Sequence, residues 1–156
     1  MLLYRVERTP HVSGFVLAAG HWGDGFTRYT IARCQTDFWA PWRVASEAII
    51  ERVRAIEFPQ RPSRLRCSFS WPDEASARVA LAQSPGWCIE ILEPIDPLAN
   101  QFVADFALLS SGSRFQLHAP FLLDNERIAR QYWTGGQAVA PELLIESDLR
   151  VVGVLP

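Results

Sequence analysis

The chain has 156 residues, 49% of them hydrophobic and 21% charged, with a formal net charge of -2. That length suits a single domain over 1–156, large enough to bury a core, and the balance is globular rather than disordered. The acidic total excludes a protein held on nucleic acid by overall charge, while leaving room for a local basic patch.

Six tryptophans, nine phenylalanines and three tyrosines are many rings for this length. Rings fill cores and also line pockets that grip flat ligands. All 15 basic residues are arginine. The guanidinium fork suits paired contacts with phosphate or carboxylate, although coding bias alone produces the same excess. Cys34, Cys67 and Cys88 are odd in number and widely spaced. They read as reduced, buried thiols of a cytoplasmic protein rather than a disulfide frame or a metal site. His11, His21 and His118 are equally scattered, so no metal is expected. Charges near Met1 break any signal-peptide core, and no run reaches the length of a membrane span. The expectation is a soluble protein with no membrane partner.

Leu2 to Val6 predicts a first strand, with Leu3 and Arg5 on one face and Tyr4 and Val6 on the other. Val12 to Ala19 is apolar. Gly20, Gly23 and Gly25 around Trp22 then predict a mobile loop. Pro41 opens a helix that Pro59 ends, with Ala45, Ala48, Ile49, Val53 and Ile56 as its buried stripe and Glu47, Glu51, Arg52 and Arg54 on its surface. Leu65, Cys67 and Phe69 alternate with Arg64, Arg66 and Ser68, the pattern of a half-buried strand with a polar face.

Asp73 and Glu74 start a further helix whose stripe is Ala75, Val79 and Ala82. Trp87 to Leu92 is a strand. Phe102 to Leu109 is buried but ambiguous between helix and strand. Ser110 to Ser113 is a loop, and Phe115 to Leu123 a strand broken at Pro120. Asp124 caps a helix over 125–133 with Ile128, Ala129 and Tyr132 inward. Pro141 to Ile145 and Leu149 to Leu155 flank Glu146-Ser147-Asp148 and predict a C-terminal hairpin. Strands and long helices do not alternate regularly, so the fold class is α+β rather than a doubly wound parallel sheet.

Glu142 opens the first strand of that hairpin. Alone it reads equally as a solvated charge at a strand edge. In chain order, however, Tyr4-Arg5, Ser68-Phe69-Ser70 (or the earlier Ser63) and Pro141-Glu142-Leu143-Leu144-Ile145 resemble the three-part signature of Arg-Ser-Glu ADP-ribosyltransferases. Trp87 to Pro94 and Leu149 to Val154 are similar in layout to strands of the small rifamycin ADP-ribosyltransferases. Phe58-Pro59, Pro62-Ser63-Arg64-Leu65, Tyr132-Trp133-Thr134-Gly135 and Glu142 to Ser147 also resemble an uncharacterised bacterial family related to that fold.

The resemblance implies an ADP-ribosyltransferase-like split β-sheet with flanking helices, a glycosyltransferase-class activity with NAD as substrate, and no metal. It implies that Arg5 contacts the NAD phosphates or adenosine ribose. Ser68 first, then Ser63, with Ser70 on the same strand, would support the nicotinamide ribose. Glu142 would be catalytic, bonding the ribose 2′-hydroxyl and facing the cation that develops as nicotinamide leaves. Tyr132, Trp22 or Trp133 would stack on nicotinamide. The implied acceptor is a protein or nucleic acid, and the implied setting a toxin, effector or defence component with a possible neutralising partner protein. Ala140 occupies the position where arginine-modifying members carry a second acidic or amide residue, which argues against arginine as acceptor and leaves another protein group, a nucleic acid or a small molecule open. No Ser-Thr-Ser occurs. Two rivals remain: a non-catalytic protein-binding module on the same scaffold, and a relative of the NAD-using RNA 2′-phosphotransferases, supported by the arginines of 61–66.

Overall fold

The computed structural model describes residues 1–155. Two antiparallel sheets and a set of helices account for them. The first sheet orders its strands β1 (Leu3–Glu7), β4 (Cys88–Pro94), β7 (Leu149–Leu155) and β2 (Val16–Leu17). The second orders β3 (Ser68–Ser70), β6 (Pro141–Ile145) and β5 (Gln101–Asp105). Five helices of six or more residues surround them: α1 (His21–Thr27), α2 (Ile31–Thr36), α3 (Ala40–Glu57), α4 (Glu74–Leu81) and α6 (Phe121–Thr134). A 3-10 turn at Phe106–Leu109 leads into the short α5 (Ser111–Arg114). The α+β class expected from the sequence is what the chain adopts.

The two sheets meet at one place. Tyr4 and Trp71 exchange a pair of backbone hydrogen bonds of 3.0 and 2.7 Å. Beyond that bridge β1 and β3 part, and the sheet splits. β6 is the strand that couples the layers, because it is buried on both faces. Leu143 and Ile145 join Leu3, Leu92, Leu149 and Val151 between the sheets. Leu144 turns the other way, into Ile50 and Val53 of α3, Ile128, Ala129, Tyr132 and Trp133 of α6, and Phe102 of β5. Burying each such aliphatic side chain stabilises the fold by about 1.5–3 kcal/mol relative to leaving it exposed.

Several expectations are corrected. β6 and β7 are consecutive but do not pair: β6 bonds to β3 and β5, and β7 to β4 and β2. Glu146-Ser147-Asp148 is therefore a crossing from one sheet to the other, not a hairpin turn. The glycine-rich stretch at 20–25 lies largely in α1, with Gly20 as a left-handed N-cap. Glycine is needed at Gly23, where a Cβ would lie 2.0 Å from the Leu65 carbonyl oxygen. α3 has the expected length, but its buried face is Ala40, Ser46, Glu47, Ile50 and Val53, while Ile56 and Ala48 are exposed. Glu47 is thus not a surface residue.

The 64–69 strand contracts to Ser68–Ser70, leaving Arg64 buried in a turn and Arg66 exposed. α4 buries Ala77 rather than Val79. Phe115 to Leu123 is not a strand; α6 begins at Phe121, behind Pro120 rather than Asp124. Ser111–Arg114 is a helical turn, and Phe102 to Leu109 divides between β5 and the 3-10 turn. The inward face of α6, with Ile128, Ala129 and Tyr132, is as the spacing predicted.

Candidate functional site

The split between β1 and β3 makes a gap. Antiparallel register past the Tyr4–Trp71 bridge sets Arg5 toward Ser70 and Val6 toward Phe69, but the strands have parted. A cavity of about 190 Å³ opens there, lined by Arg5, Val6, Phe69, Ser70, Trp71 and Glu142. A second, of about 230 Å³, shares Arg5 and Phe69 and adds His21, Trp22, Cys67 and Ser68 among others. Each is below the roughly 300–1,000 Å³ of a typical small-molecule site. The two share Arg5 and Phe69 as wall residues and lie side by side as parts of one cleft.

Arg5 projects from β1 across from Glu90 on β4. Its Nη2 donates to Glu7 Oε2 at 2.6 Å, while among the described residues Nε and Nη1 bond to no protein group. Half-exposed, it keeps donors for an anion. Ser70 is buried, and its Oγ has no hydrogen-bond partner among the described residues. A buried hydroxyl without a partner costs free energy, so an unfilled bond at a cavity wall is a feature to explain. Ser68 differs, since its Oγ donates to the Ser147 carbonyl at 2.8 Å and ties β3 to the crossing. Ser63 lies outside the cleft lining: its Oγ donates to Glu51 at 2.9 Å and accepts from Leu65 N at 3.2 Å, closing the turn after Pro62. Ser70 and Ser68 both line the cleft, and of the three serines only Ser70 has an Oγ without a partner among the described residues.

Glu142 is 8% exposed. Register with β3 puts its side chain on the opposite face of the sheet from Ser70, toward the helices. There Arg64 Nη1 donates to Glu142 Oε2 at 2.6 Å, and Tyr132 Oη donates to the same oxygen at 2.7 Å. Arg64 Nη1 also reaches Tyr132 Oη at 2.5 Å, closing a triangle. Both donors fall on Oε2. Oε1 has no protein partner among the described residues, and Glu142 is one of the residues that line the smaller cavity.

Arg64, only 4% exposed, is itself held on the far side, where its Nε donates to Glu47 Oε2 at 3.2 Å. Arg114 Nη1 donates to the other oxygen of Glu47 at 2.7 Å. Two arginines and two glutamates thus alternate and balance their charge out of water. Phe69 and Tyr132 rings flank the Arg64 guanidinium, with centroids 4.8 and 5.2 Å from Cζ. Burial alone would lower the pKa of Arg64, but Tyr132, Glu142 and Glu47 more than reverse it and leave it well above the ordinary value. Burial pushes the Tyr132 phenol well up as well, against the pull of Arg64, so it remains a hydroxyl that can donate.

The Tyr132 ring does not line the cleft. It is fully buried, packed edge-on against Trp133, and serves Glu142 through its hydroxyl. Trp133 is core, its Nε1 donating to the Ile50 carbonyl at 3.0 Å. Of the three candidate rings only Trp22, 40% exposed, lines the cleft. The sequence reading missed Arg64, Glu47 and Arg114. The adjacent polar pair Ser46-Glu47, in register with Ile50 and Val53, was the signal for a charged buried face on α3.

The arginines of 61–66 do not make a basic strand. Arg61 stacks over Phe102 at 4.0 Å, Arg64 is in the network, and Arg66 pairs with Glu146 at 3.2 Å. Among the described residues no group of His, Cys, Asp and Glu is arranged to hold a metal ion. Among the described residues no helix is long and apolar enough to cross a membrane. All three cysteines are free thiols, but only Cys67 is buried as expected; Cys34 and Cys88 are partly exposed.

The fold and site define a mixed α+β protein with a split antiparallel sheet and a buried glutamate at the split. The chain belongs to the family described as "Protein of unknown function (DUF2441)", which matches residues 25–155. That stretch takes in Arg64, Ser70, Tyr132 and Glu142 and leaves out β1 with Arg5. No curated protein matches the chain.

Proposed function

We propose that the chain is an NAD-dependent ADP-ribosyltransferase, working at the gap where β1 and β3 part. One observation carries this reading: Arg5, Ser70 and Glu142, separated by most of the chain, border the same cavity. The fit to NAD rests on the unpartnered Ser70 Oγ, the remaining donors of Arg5 and the open Oε1 of Glu142. Arg5 holds the diphosphate with its free N–H groups. Ser70 bonds a ribose hydroxyl. Glu142 Oε1 accepts from the ribose 2′-hydroxyl and faces the positive charge that grows on the ribose as nicotinamide departs. Arg64 and Tyr132 touch neither; they fix the glutamate by its other oxygen.

Pairing of Arg5 with Glu7 and of Glu142 with Arg64 favours a second reading, in which the scaffold binds a protein partner without catalysis. Calorimetric titration with NAD separates the two. The transferase reading expects saturable binding that weakens in Arg5→Ala and Ser70→Ala. Absence of binding by a folded wild-type protein would sink it.

A further inference from the structure

α2 buries none of its residues, although so short a helix needs packing to persist in water. Beside it Phe38 is 74% exposed, and Trp39 and Trp42, one helical turn apart at the start of α3, are 44% and 43% exposed. The rings form a connected surface. Phe38 meets Trp39 at 5.3 Å, Trp39 meets Phe115 at 5.6 Å, and Trp42 meets Phe121 at 5.1 Å. A groove of about 550 Å³ between α2 and α3, with Phe38, Pro41 and Trp42 in its walls, crosses this face. Leu122 and Leu123 next to Phe121, and Leu117 in the turn before α6, extend it, and all three are exposed. None of these residues lines either part of the cleft.

Size and charge indicate what covers this face. Taking about 150–250 Å² for each large side chain, Phe38, Trp39, Trp42, Leu117, Leu122 and Leu123 leave on the order of 800 Å² of apolar surface open. The largest patch on a monomer is usually about 300–600 Å². A stable complex covers about 800 Å² on each partner. The charges at the border are paired within the chain: Arg43 with Asp37, Arg127 with Asp124, and Arg52 with Glu126. Arg33 on α2 lies over the Tyr29 ring, 4.8 Å from its centroid. A border so close to neutral gives a strongly charged peptide, a nucleic acid or an anionic lipid surface little to select. It suits a second copy of the chain, because a two-fold axis sets the border against itself and any net charge there would repel. An apolar centre inside such a border is the composition of homodimer interfaces.

We propose that this face is the two-fold interface of a homodimer, in which α2 and the start of α3 of one chain pack on those of the other. The second copy supplies the packing that α2 lacks within one chain. It also covers Phe38, Trp39 and Trp42, the most ring-rich part of the exposed surface. Because the face holds no cleft residue, the dimer keeps both clefts open. The assignment therefore stands independently of the transferase reading, and the failure of either leaves the other in place.

The test is sedimentation equilibrium of the full chain at micromolar concentrations, with thermal midpoints recorded alongside. Wild type gives twice the chain mass of 17.6 kDa, and its midpoint rises with concentration. Phe38→Asp and Leu122→Asp each place two carboxylates in the interface and raise the dissociation constant by at least about a hundredfold. Both positions are exposed in the single chain, so the substitutions are compatible with folding. Circular dichroism checks this, and the second variant carries the test if the first does not fold. Leu98→Asp, at an exposed apolar position on the loop after β4, retains the dimer mass. A wild type that stays monomeric at the highest concentration overturns the proposal, and flotation of that monomer with phosphatidylserine vesicles assigns the face to a lipid surface instead. A dimer that survives both Phe38→Asp and Leu122→Asp overturns it too, as does a dimer lost equally in Leu98→Asp.

Discussion

Replacing Arg64 by leucine tests the buried charge network. The guanidinium is 4% exposed and supplies two of the contacts that hold carboxylates out of water, to Glu47 and Glu142. Removing one member of a buried ion pair leaves an uncompensated charge, at a cost of about 3–5 kcal/mol. Here Glu142 keeps Tyr132 and Glu47 keeps Arg114, so the lower end of that range applies. For a domain of this size that is a fall in thermal midpoint on the order of 10 °C. Urea denaturation followed by tryptophan fluorescence measures it. Pairing the substitution with Glu142→Gln gives a coupling of about 1–3 kcal/mol, because the two residues share one hydrogen bond and one charge contact. A loss below about 1 kcal/mol for Arg64→Leu, or strict additivity with Glu142→Gln, would show that the triangle at Glu142 Oε2 does not hold the glutamate in place.

Other substitutions read different parts of the fold. Ser68→Ala loses a buried hydrogen bond to Ser147 and about 1 kcal/mol, while Ser70→Ala removes an unpartnered hydroxyl and leaves stability unchanged or slightly raised; chemical denaturation of both variants should separate them, and equal losses would refute the distinction. Gly23→Ala drives a methyl into the Leu65 backbone, so α1 lifts from that turn and amide exchange over 21–27 accelerates; unchanged protection would contradict the packing. Burial, followed by the field of Glu146, pushes the Cys67 thiol up to about 12 from an ordinary 9.0. A thiol raised in the folded state favours folding below its unfolded value and loses that contribution as pH rises from about 9 to about 12. At pH 8 iodoacetamide should therefore label Cys34 well ahead of Cys67 in the native protein and all three cysteines in urea; native labelling of Cys67 at the rate of Cys34 would contradict its burial.

What could be read from residues was local. The bounds of α3 follow from Pro41 and Pro59, the inward face of α6 from the spacing of Ile128, Ala129 and Tyr132, and β1 from its alternation. What escaped was long-range. Two apolar runs joined by three polar residues read as a hairpin because turn chemistry is local, yet β6 pairs with strands drawn from 68–70 and 101–105. The unbroken run Leu143-Leu144-Ile145 was the sign of a strand covered on both faces. α1 was hidden by glycines whose role is close approach to Leu65, which no periodicity encodes. Arg64 was assigned to the polar face of a strand because the alternation with Leu65 and Cys67 put it there; its two carboxylates come from residues 17 and 78 positions away. Glu142 and Arg5 were singled out from the sequence, but that Ser68 is bonded through its Oγ while Ser70 is not could be seen only in the fold.

The most direct measurement is nicotinamide release from NAD, followed by chromatography for the wild type and for Glu142→Gln, with both proteins shown to be folded by the same denaturation curve. Glutamine keeps the shape and removes the charge that the proposed mechanism sets against the ribose. The account predicts release by the wild type and a loss of about 10²–10³-fold in Glu142→Gln. Equal rates in the two proteins would contradict it.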